Sequence, residues 1–189
     1  MLPSTRRVPG FGSFEALTKG QPAELPGDRT AGTAMHYTSG TTGRPKGVRR
    51  ALSDVDPDQI GAFSLLSLFG IQPHDGHVHL CGSPLYHTAV LAFSGSSLHF
   101  GHPVVLMDRW SPGAMLAMIQ QHGATHSHMV PTQFHRLLAL PDEVKAAYDV
   151  SSLRCIIHAA APCPVDVKRR MLEWYDARLK GATGKVTSN

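Results

Sequence analysis

The stretch Tyr37-Thr38-Ser39-Gly40-Thr41-Thr42-Gly43-Arg44-Pro45-Lys46-Gly47-Val48 concentrates groups that bind phosphate. Between Thr38 and Gly47 it holds three glycines, four hydroxyl side chains and one lysine. Glycine lets consecutive backbone N–H groups converge on an anion, hydroxyls add donors, and Lys46 adds a point charge. Such a set suits a polyphosphate. It is not the G-x-x-x-x-G-K-[ST] loop, because Gly47 follows Lys46 where Ser or Thr is required. Pro45 also argues against an immediate helix start. A mobile hairpin loop is expected rather than a helix N-terminus.

Other chemistry-bearing groups are less specific. His77-x-His79 and His126-x-His128 put imidazole pairs on one face of a strand, a spacing a metal tolerates. A wet sheet edge, or core histidines bonded to carbonyls, explains them as well, and no metal ligand is assigned. Cys163 precedes a helix whose N-terminus could lower its pKa, or it is a small residue in a turn. No G-x-S-x-G elbow is present, so an acyl hydrolase is not supported.

The elements that must position these groups alternate. Residues 1–31 carry Pro3, Pro9, Pro22 and Pro26 and read as loop, with a short helix at 13–17. Strands are expected at 34–38 and 48–52, around the loop at 39–47. Asp58 caps a helix over 59–69 that Gly70 stops. A strand at 77–81, a helix at 88–99 and a strand at 103–107 follow. Ser111 caps a helix with Pro112 at its first position and Gly123 at its end. A strand at 125–130, a helix from Pro131, a strand at 153–157 and a helix from Pro164 complete the pattern. Strands separated by helices predict an α/β fold with a mostly parallel sheet.

Composition bounds the function classes. The 189 residues are 42% hydrophobic and 17% charged, with a net charge of +4. No apolar run approaches the roughly 18 residues of a membrane-spanning helix, and no signal peptide is legible. Lys and Arg are dispersed, and aromatics do not interleave with them, so no nucleic-acid partner is expected. Three cysteines without a C-x-x-C fit a reducing cytoplasm.

The twelve-residue loop resembles, without a break, the phosphate loop of the AMP-forming adenylate enzymes, the superfamily of acyl-CoA synthetases, luciferases and peptide-synthetase adenylation domains. Ser83-Pro84-Leu85-Tyr86-His87-Thr88-Ala89-Val90 resembles that family's second motif. Val130-Pro131-Thr132-Gln133-Phe134 resembles its V-P-T helix start, and His158-Ala159-Ala160-Ala161-Pro162 its adenine wall, where Gly-Gly-Ala-Pro is usual. The resemblance spans about residues 13–174, and its wording is most similar to bacterial fatty-acyl-CoA synthetases.

The resemblance implies a fold and a reaction. The chain would be an incomplete piece of the adenylate-forming N-terminal domain. Residues 1–31 would be a loop-rich segment, 32–175 a partial AMP-binding domain, and 176–189 a divergent tail. ATP and a carboxylic acid, a fatty acid by this wording, would give acyl-AMP and pyrophosphate, and CoA would then give a thioester. Thr38, Ser39, Gly40, Thr41, Thr42, Gly43 and Lys46 would hold the phosphates. His87 would sit beside the acyl carboxylate, although an isolated histidine there also reads as a helix cap or core residue. Ala160, Ala161 and Pro162 would flank adenine.

After Trp174 the family supplies a Tyr-Gly-x-Thr-Glu stretch whose Glu holds Mg²⁺, then a second domain with a catalytic lysine. Neither is legible here, and Thr183-Gly184-Lys185-Val186 echoes the lysine motif in only four common residues. A truncated, impaired synthetase is therefore the expectation. A nucleotide-binding module without chemistry, or an inactive remnant, is the alternative.

Overall fold

The computed structural model of the chain describes residues 9–38, 46–61, 65–159, 161–177 and 185–188. A short helix α1 (Phe14–Thr18) precedes a two-stranded antiparallel hairpin, β1 (His36–Thr38) and β2 (Lys46–Val48), in which Thr38 pairs with Lys46. Helix α2 (Pro57–Gly61) and a 3-10 turn (Leu65–Phe69) stand where one helix over 59–69 is expected; residues 62–64 lie outside the described set.

The remainder alternates: β3 (His79–Cys81), α3 (Thr88–His99), β4 (Val104–Leu106), α4 (Pro112–His122), β5 (His126–Met129), α5 (Pro131–Leu138), α6 (Asp142–Ala146), β6 (Cys155–His158), α7 (Val165–Asp176) and β7 (Lys185–Ser188). The sheet runs β4-β3-β5-β6-β7, every pairing parallel. The α/β expectation with a parallel sheet is met. The sequence reading placed neither α6 nor β7; β7 falls in the tail and extends the sheet beside β6.

Register sorts the strand residues into two faces. His79, His126 and Cys155 lie across from one another, as do Cys81, His128 and Ile157. This face meets Leu66, Ile71, Phe93 and Phe100, the cover formed by α3 and the 3-10 turn. Leu80, Met129 and Ile156 point the other way, into a core with Met115, Leu116 and Ile119 of α4, Phe134 and Leu137 of α5, and Val167, Met171 and Tyr175 of α7. Helices on both faces bury every described residue of β3, β5 and β6, as a parallel sheet requires. On α7 the i, i+4, i+8 series Val167, Met171, Tyr175 is buried and forms the inward stripe.

Helix α4 forms as its caps dictate. Ser111 Oγ accepts from Ala114 N–H at 3.2 Å, Pro112 occupies the first turn, and Gly123 ends the helix in the left-handed region at φ 59°. A Cβ there would touch nothing within 4 Å, so Gly123→Ala carries the backbone penalty alone. A loss of about 1–2 kcal/mol in unfolding free energy is expected by urea titration. No helix among the described residues is long and apolar enough to cross a membrane.

Candidate active site

Parallel pairing brings the carboxyl ends of β3, β5 and β6 to one edge of the sheet. Ligands of open α/β sheets bind outside that edge. Three of the four motif segments emerge there: 82–88 after β3, 130–134 after β5, and 159–162 after β6. The fourth, the phosphate loop, spans the hairpin, whose residues 39–45 lie outside the described set, so Ser39, Gly40, Thr41, Thr42 and Gly43 do too. Lys46 is exposed and opens β2 rather than ending a loop, with Thr38 its backbone partner across the hairpin. The return strand thus begins two residues before the expected Val48.

The turn after β3 is held from two sides. Gly82 is packed so closely that a Cβ would come within 2.6 Å of Trp110 Cδ1. Gln133, buried in the first turn of α5, donates from Nε2 to Gly82 O and to Ser83 Oγ, each at 3.3 Å, while its Oε1 accepts from Val130 N–H at 3.0 Å. This one amide ties the β3 exit to the β5 exit. The role of Gln133 is not legible in the Val130–Phe134 motif, because its partners lie about fifty residues away.

His87 sits at the N-cap of α3 with φ −80° and ψ 130°, yet its side chain makes no capping bond. Its carbonyl accepts from Leu91 N–H at 2.9 Å, and its ring lies 4.5 Å from that of Tyr86. The capping alternative for the imidazole is therefore set aside. The exposed His87 opens onto a cavity of about 610 Å³ whose wall includes Leu65, Ser83, Val90, His128 and Val130. Ala161 and Pro162 are exposed beyond β6, and Ala160 lies outside the described residues.

The paired histidines are core residues, which overturns the wet-edge reading. His79 and His126 face each other across β3 and β5 with ring centroids 4.7 Å apart, and His77 and His102 stand 5.4 Å and 6.1 Å from His126. Hydroxyls rather than carbonyls bond two of them, His77 and His126. Ser97 Oγ donates to Phe93 O at 3.0 Å, so the 3.1 Å contact requires His126 Nε2–H to donate to Ser97. His77 Nδ1 bonds Thr125 Oγ1 at 2.7 Å. Asp75 reaches His77 Nε2 at 3.3 Å and His102 Nε2 at 3.0 Å. Burial lowers the pKa of His126 to about 2, of His79 to about 3 and of His128 to about 4, and neighbouring imidazoles push the same way. Among the described residues no group of three or more His, Cys, Asp or Glu is placed to hold a metal ion. Cys163 is not activated by the α7 N-terminus; burial pushes its thiol up.

The profile of the family described as AMP-binding enzyme matches residues 7–184. The chain is 33% identical to 4-coumarate–CoA ligase 1 of Oryza sativa subsp. japonica, over 79% of this chain and 25% of that protein. It is 31% identical to a feruloyl-CoA synthase of an Amycolatopsis species, over 93% of this chain and 34% of the relative. Among solved structures it is similar to the O-succinylbenzoate CoA synthetase of Bacillus subtilis in complex with AMP. The TM-score is 0.58 at 30% identity, covering 78% of this chain and 28% of that one. The chain spans about a quarter to a third of the length of the curated relatives it matches.

Proposed function

Because the chain belongs to the AMP-binding enzyme family, we propose that it takes part in the ATP-dependent activation of a carboxylic acid. A carboxylate oxygen attacks the α-phosphorus of ATP, the bond to the β-phosphate breaks, and pyrophosphate leaves acyl-AMP. The sulfur of CoA then attacks the acyl carbon, the thiol proton is lost, and AMP departs as the thioester forms.

The observation that carries this reading is the meeting of the β3 and β5 exits on one cavity, with His87 exposed at its mouth. His87 would orient the acyl carboxylate, and Gln133 holds the turn that carries it. Lys46, with Thr38, Ser39, Gly40, Thr41, Thr42 and Gly43, would neutralise the phosphates. Ala160, Ala161 and Pro162 would line the adenine. Supporting the nucleotide assignment, the B. subtilis relative has also been solved with ATP and a magnesium ion. The described residues supply no cluster that fits Mg²⁺, so no step here is assigned to one.

The acid is the finer question. A fatty acid is the expectation from motif wording. The relatives are named for 4-coumarate, ferulate and succinylbenzoate chemistry, so aromatic acids are the first substrates to test. The experiment is ATP–pyrophosphate exchange on the purified chain across aliphatic and aromatic acids. Acid-dependent exchange is the expected result. Saturable ATP binding without exchange for any acid would instead favour a nucleotide-binding module.

A further inference from the structure

The acyl cavity is apolar except at a few points, and one of them is unusual. His128 forms part of its wall, is only 3% exposed, and has no hydrogen-bond partner at either ring nitrogen. Its ring stacks on Phe93 at 4.9 Å and 16°, which holds its plane but satisfies neither nitrogen. Three neighbours on this face have at least one partner: His126 has Ser97, His77 has Thr125, and His102 has the carbonyl of Gln72. His79 and His102 each keep an unpartnered Nδ1, but neither lines the cavity. Buried polar atoms are paired almost everywhere in folded proteins, and an orphan calls for a partner from outside the chain's own packing. Held neutral by burial, the imidazole offers one N–H donor and one lone pair.

We propose that His128 is the specificity determinant of this cavity, pairing with a hydroxyl or carbonyl group that the acyl portion carries away from its carboxylate. The inference rests on reading the cavity as the acyl site. The carboxylate then lies toward the exposed His87, and the second polar group reaches the buried wall. The favoured substrate class is a compact acid with a distal polar substituent. An unsubstituted hydrocarbon tail leaves His128 unpaired and binds less well.

The test compares cinnamate with 4-hydroxycinnamate on the full chain, by calorimetric titration and by the imidazole 15N shifts of His128. The hydroxylated acid is expected to bind about tenfold tighter and to be alone in moving the His128 signals. His128→Leu is expected to bring the ratio of dissociation constants to about one, whereas His128→Gln, keeping a donor and an acceptor, retains the preference. Equal affinity in the unsubstituted protein, binding of neither acid, or an unchanged ratio in His128→Leu overturns the proposal. Should His128→Leu fail to fold, unmoved His128 signals in the natural chain overturn it alone. Pyrophosphate exchange separates the two readings. Exchange without discrimination defeats only the role of His128; discrimination without exchange upholds that role and defeats the activation chemistry.

Discussion

Lowering the pH from 7 to 5 is expected to remove about 6 kcal/mol of folding stability, a loss on the scale of an ordinary domain's entire margin. His126, His79 and His128 have folded-state pKa values of about 2, 3 and 4. In the unfolded chain each returns to about 6.5. Below that pH the unfolded state binds protons that the folded state refuses, so stability is complete above pH 6.5 and falls as the solution is acidified. Each group contributes about 1.4 kcal/mol per pH unit in that window, hence about 2 kcal/mol by pH 5. Packing offers little relief. The rings of His79 and His126 touch across adjacent strands, and the contacts of Asp75 go to His77 and His102 instead. Urea titrations at pH 7, 6 and 5 check this. A flat profile contradicts it, and His126→Gln is expected to reduce the slope by about a third.

Lys46→Ala is expected to slow acid-dependent ATP–pyrophosphate exchange by about 10²–10³-fold, the range for removing one preorganised charge from a site where negative charge develops. Folding should hardly notice. Lys46 is exposed on a two-stranded hairpin, and such substitutions usually fall within about 0.5 kcal/mol. The pair of measurements, exchange rate and unfolding midpoint, separates a phosphate-binding lysine from a structural one. An exchange rate equal to that of the natural chain would remove Lys46 from the nucleotide site.

Much of the scaffold was readable because its causes are local. Ser111, Pro112 and Gly123 bound α4 as their backbone preferences require, and the apolar spacing on α5 and α7 picks out Phe134, Val167 and Met171 as buried. Most expected strands are shorter or shifted by about two residues, and the one expected at 48–52 lies at Lys46–Val48, since pairing rather than propensity sets where a ladder begins. Helix α6 is only five residues long, and the four residues of β7 join the sheet through β6, a partner about thirty positions away, so neither is legible in local spacing.

The sequence by itself determined the family resemblance, the strand–helix alternation and the Gly/Thr/Lys string proposed to hold phosphate. All three reside in neighbouring residues and their fixed periodicities. Only the tertiary structure decided what the histidines do. Cross-strand register seats His79 against His126, the cover of α3 supplies Ser97 to His126 and no partner to His128, and the β3 and β5 exits form a cavity whose wall includes His128. These outcomes depend on contacts between segments some thirty to fifty residues apart. Spacing along the chain carries no information about which of two chemically identical rings will find a partner.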